Sequence, residues 1–119
     1  MIIIAFAPKT SKILPRMFCK VPHHCAPIIR IAKNRYIMLQ FIRRGHIAQI
    51  YLTWRAIKLL HSYGWHFIKV YSRPPQDLMK RARKVFSCVK LCKLSLNMYA
   101  PLIQTPRALY KKLKRQMAL

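Results

Sequence analysis

Asp77 is the only acidic side chain in a chain that carries 24 Lys and Arg, which gives a formal charge of +23. Such a chain cannot neutralise its own cations by internal ion pairs, so any folded body must hold them at its surface against their mutual repulsion. The counter-charge has to come from outside, and the phosphate backbone of a nucleic acid supplies it at high density. The same imbalance removes whole classes of function. Paired-carboxylate catalysis needs two acids, and Mg²⁺ or Ca²⁺ sites are built from carboxylate oxygens. One aspartate supplies neither, so the sequence predicts a protein that is not an enzyme and takes no small-molecule substrate.

The 54% hydrophobic content argues against compositional disorder. The length suits one small domain with a modest core. No run approaches 18 uninterrupted apolar residues, and the nearest, from Gly45 to Trp54, ends at Arg55. A membrane span is therefore not expected. The first twenty residues carry Lys9, Lys12, Arg16 and Lys20 and no acid, the composition of a mitochondrial targeting segment. An ordinary basic arm has the same look, and Pro8 and Pro15 interrupt any long helix there.

Pro27 opens a run with Ile28, Ile31, Arg35, Leu39 and Ile42 at helical spacing and Gly45 beyond it, which predicts a helix from about 27 to 43. A second starts near His46, with Ile47, Ile50, Tyr51, Trp54, Ile57 and His61 on one face and Gly64 as its C-cap. Residues 65–71 are aromatic and β-branched and read as a short strand or connector. Leu78, Ala82, Val85, Val89, Cys92 and Leu96 fall within about 80° of each other on a helical wheel, so 78–96 reads as one long helix, with Asp77 favouring its N-terminus. Thr105 and Pro106 open a last helix with the stripe Leu109, Leu113 and Met117. The expected organisation is a basic N-terminal arm (1–26), a helical body (27–98), and a linker with a basic C-terminal helix (99–119). The expected fold is mainly α: three to four helices with extended basic arms and at most one short strand, non-compact and ordered by its partner.

The candidate phosphate-binding residues are Arg43, Arg44, Lys80, Arg81, Arg83, Lys84, Lys90, Lys111, Lys112, Lys114 and Arg115, since solvated faces ordinarily mix both signs and these runs do not. Tyr36, Trp65, His66, Tyr71 and Tyr110 are candidates for stacking on unpaired bases. No phosphate-cradling glycine loop and no known RNA-binding motif is present, so phosphate and shape readout is expected. Cys19, Cys25, Cys88 and Cys92 form a possible zinc set, with His23 as the alternative to Cys19. Their x5 and x3 spacings differ from the usual CxxC knuckle, and free, partly buried thiols are the favoured reading. No other cofactor is expected, and a His23–Cys25 catalytic dyad lacks an orienting acid.

The acid-free N-terminus, the helices with one basic face and the proline-broken extended segments together resemble the small basic mitochondrial ribosomal proteins, over the full length and in type. That resemblance implies a structural constituent of a mitochondrial ribosome, in the matrix, bound to rRNA and neighbouring ribosomal proteins. Two alternatives share the composition: a peripheral protein on an anionic membrane surface, and a zinc-stabilised small RNA-binding module.

Overall fold

The stretch Ile2–Phe6, three isoleucines followed by Ala and Phe, has no polar residue to mark a wet face, the signature of a strand buried on both sides. A computed structural model, which describes residues 1–8 and 24–117, places it as an interior strand of a five-stranded antiparallel sheet, paired on both edges. The elements in chain order are β1 (Ile2–Phe6), β2 (Cys25–Ala32), β3 (Arg35–Arg43), β4 (His46–Leu52), α1 (Trp54–Ser62), β5 (His66–Val70), α2 (Leu78–Ala82), α3 (Cys88–Ser95) and α4 (Pro106–Met117). The sheet order is β4-β3-β2-β1-β5. β1 pairs with β2 through Ile4↔Pro27 and with β5 through Ile4↔Ile68.

Alternation along β1 serves two cores. Ile2, Ile4 and Phe6 meet Val89, Cys92, Leu96, Leu109 and Leu113 of the α3–α4 side. Ile3, Ala5 and Ala7 meet Ile28, Met38, Ile57 and Trp65 on the α1 side. The Cα radius of gyration is 13.2 Å, against about 13.5 Å for a compact chain of this length and about 35 Å for an unfolded one.

The expectation of a mainly helical, non-compact chain ordered by a partner is therefore wrong. The chain carries its own core, and part of the expected arm is an interior strand of the sheet, between β2 and β5. The helix expected at 27–43 is the β2–β3 hairpin. Residues 25–28 are buried without a break, and a strand covered on both faces loses the alternation that separates it from a helix. Its turn is Lys33–Asn34, where Asn34 takes φ 58°, a conformation Asn tolerates better than most residues. The helix expected from His46 begins only at Trp54, after β4. Thr53 Oγ1 accepts from the Ala56 amide at 3.2 Å and Asn34 Oδ1 from the Trp54 amide at 2.8 Å, so the hairpin turn helps to start α1.

Gly64 does close α1. At φ 97° it donates to His61 O while Trp65 N donates to Leu60 O, the paired bonds of a Schellman end. The long helix expected over 78–96 is two, because Ser87 Oγ accepts from the Lys90 amide at 3.1 Å and starts α3 afresh. Asp77 stands at the N-cap of α2 without a side-chain cap bond. Thr105 Oγ1 caps α4 through the Ala108 amide at 3.1 Å.

Candidate nucleic-acid interface

Of the twenty Lys and Arg among the described residues, nineteen are exposed and Lys93 is half-buried. Within that set the one ion pair joins Arg81 Nη1 to Asp77 Oδ1 at 3.8 Å. Lys93 is engaged locally, since its Nζ donates to Ala100 O at 2.9 Å and Ile103 O at 2.8 Å and so ties down the loop after α3.

Three segments distant in sequence meet on one side. The β3–β4 turn carries Arg43, Arg44 and His46, with Gly45 at φ 82° making the tight reversal. Arg44 lies 4.4 Å from the centroid of the exposed Phe86 ring, and Lys90 of α3 lies 5.1 Å from the same ring. Two cations held against one ring give a local +2 around an aromatic body. A cleft between this hairpin and α2 is lined by Gly45, His46, Gln49, Met79 and Arg83. Lys80 and Arg81 on α2, with Lys84 just after it, are exposed alongside.

The second group is on α4, where Leu109 and Leu113 are buried and Arg107, Lys111, Lys112, Lys114 and Arg115 are exposed. α3 packs against both α2 and α4, so all eleven residues anticipated for phosphate binding lie in one helical layer and the hairpin turn beside it. The opposite side is cationic too, through Arg55 and Lys58 on α1, Lys69 on β5 and Arg30 on β2, and Lys33 and Arg35 are exposed at the β2–β3 turn. These six were missed because they stand singly along strands and a helix. The turn at Lys33–Asn34 was the one local signal that could have gathered three of them.

The stacking candidates divide by burial. Tyr36 and Trp65 are core residues. Tyr71 is 84% exposed, His66 is exposed and Tyr110 half-buried, and the last two rings meet edge-on with centroids 6.0 Å apart. Tyr99 and Leu102, both 93% exposed on the loop that Lys93 holds, were not anticipated.

Cys25, Cys88 and Cys92 converge in the apolar core under α3. Burial pushes the Cys92 thiol up, a side-chain hydrogen bond with Cys25 opposes that rise, and Cys88 adds to it. Among the described residues no group of three or more His, Cys, Asp or Glu could hold a metal ion; Cys19 and His23 lie outside them, as does the targeting-like stretch from residue 9. His24 turns to the other side of the sheet, where its Nε2 donates to Oε1 of the fully buried Gln40. Adjacent residues of an extended chain point to opposite faces, so His24 and Cys25 serve different cores.

Among the described residues no helix is long and apolar enough to cross a membrane. No family model matches this chain, and neither a curated protein nor a solved structure matches it significantly.

Proposed function

We propose that the protein is a non-catalytic RNA-binding component of a ribosome, in the mitochondrial matrix, that contacts rRNA phosphates and neighbouring ribosomal proteins from a preformed fold. The observation that carries this reading is the outward display of nineteen cations on both sides of one sheet, with one acid to oppose them. A protein that docks on one face of a duplex needs a basic stripe on that face alone. Charge on every side suits a body set among several RNA segments. The exposed Lys and Arg side chains of the folded body are what meets the phosphates.

Sedimentation of tagged protein from a mitochondrial lysate, with and without RNase, tests the reading. Co-migration with a ribosomal subunit that is lost after RNase is the expected result. Recovery in a light or membrane fraction indifferent to RNase contradicts it.

One observation favours a second reading, attachment to an anionic membrane surface. The Lys93-braced loop presents Tyr99 and Leu102 almost wholly to solvent beside a cationic layer. Flotation with anionic vesicles, lost in Leu102→Ser, is its expected result; flotation unchanged in that variant contradicts it.

A further inference from the structure

A cleft of about 450 Å³ opens where the end of β1, the start of β5 and the first two turns of α4 meet. Its lining includes Phe6, Gly64, His66, Arg107, Tyr110 and Lys111. Phe6 and His66 are register partners on β1 and β5, which puts both side chains on the α4 side of the sheet. Tyr110 stands over them, edge-on to Phe6 with centroids 5.1 Å apart and 6.0 Å from His66. Arg107 and Lys111 are four residues apart on α4, hence on the same flank of that helix, and both are exposed. Lys114 Nζ lies 5.7 Å from the Tyr110 centroid.

Three aromatic rings and two cations thus converge on one opening. The volume sits at the small end of the range of about 300–1,000 Å³ that holds small ligands. It admits one planar ring system with a substituent and excludes a base-paired helix. A flat π-face beside a guanidinium and an ammonium is complementary to a nucleobase that carries its own phosphate. A purely aliphatic acid would leave the aromatic walls unused, and a neutral ring would leave the cations unmatched.

We propose that this cleft receives a single unpaired nucleotide of the bound RNA, its base against Tyr110 and His66 and its phosphate on Arg107 and Lys111. The inference rests on the RNA-binding reading and adds to it a preference for a splayed-out nucleotide over continuous duplex. It also gives Tyr110, His66 and Lys111 a common role.

The test compares two ligands on the full chain, a single-stranded oligoadenylate hexamer carrying one fluorescent 2-aminopurine and a twelve-pair RNA duplex, at the same salt. The hexamer is expected to bind with quenching of the 2-aminopurine. Arg107→Gln/Lys111→Gln and His66→Ala, all at exposed positions, are each expected to weaken hexamer binding about 5- to 100-fold while the single substitution His66→Ala leaves duplex binding unchanged. Tyr110→Leu keeps the packing against Phe6 and is expected to abolish the quenching. Duplex binding that persists without quenching, or with equal losses for both ligands in His66→Ala, overturns the cleft and leaves the RNA reading standing. Absence of binding to either RNA at low salt sinks both. Adenosine monophosphate that binds as tightly as the hexamer overturns the assignment to an RNA strand.

Discussion

β1 sends Ile2, Ile4 and Phe6 toward α3 and α4 and Ile3 and Ala5, with Ala7 just beyond it, toward α1, so neighbouring residues of one extended segment close two cores of different character. The first is sealed by aliphatic side chains, Phe6 and thiols under α3 and α4. The second is floored by Ala5, Ala7 and Ala26, carries the indole of Trp65, and buries the polar pair His24 and Gln40. A helical layer held by apolar area leaves most polar positions of its helices for solvent, Ser95 and Lys93 excepted, and those positions carry the cations anticipated for phosphate. The α1 side depends more on particular partners, since a buried amide is costly once its hydrogen bond is lost.

The largest expected effect strikes the shared strand. Ile4→Ala should cost about 2–5 kcal/mol and show in hydrogen exchange as lost protection in α3 and α4, whereas Ile3→Ala should loosen α1 instead. Equal loosening of both layers by both variants would erase the distinction between the cores. Gln40→Ala comes next, at about 1–3 kcal/mol, because it removes the Oε1 that accepts from His24 Nε2 at a buried position. Denaturant midpoints should move for this variant while the protection of α4 stays. Loss at α4 would mean that the cores act as one.

A smaller and opposite signature belongs to the thiols. Burial holds the Cys92 proton more tightly in the folded chain than in the unfolded one. Its contribution is therefore fully present below the unfolded value of about 8.5 and is lost as the pH rises toward the folded one. Urea midpoints followed upward from pH 8 should fall in the parent and fall less in Cys92→Ala; parallel curves would count against a buried protonated thiol. Asp77→Asn should do least, about 0.5 kcal/mol or below, because an exposed i,i+4 pair at 3.8 Å is weak. A larger loss would give the single acid a role its geometry does not provide.

These contrasts also explain what the amino-acid order made legible. The elements with one wet face were readable: Leu109 and Leu113 against Lys111, Lys112 and Lys114 announce α4, and Gly64 announces the end of α1. The sheet was not, because Ile2–Phe6 and residues 25–28 are covered on both faces, and such runs mimic helical spacing at Ile28, Ile31, Arg35 and Leu39. Charge supplied the candidate residues, but only the fold brings Arg44 and Lys90 to one ring and separates Tyr36 and Trp65, which fill the core, from His66 and Tyr110, which line a cleft. Tyr99 and Leu102 were missed because an apolar residue in a loop carries no periodic signal of its exposure.

The central claim is that a self-sufficient fold displays its unmatched cations to RNA phosphates. The most direct test is the affinity of the purified full chain for a structured rRNA hairpin as a function of salt, with the far-ultraviolet spectrum of the free protein recorded beside it. The account predicts a folded free protein and a log affinity that falls linearly with log salt, at about 0.7–0.9 per phosphate contacted and with a total slope of at least about four. An unfolded free chain, or binding that is absent at low salt or indifferent to it, would contradict the claim.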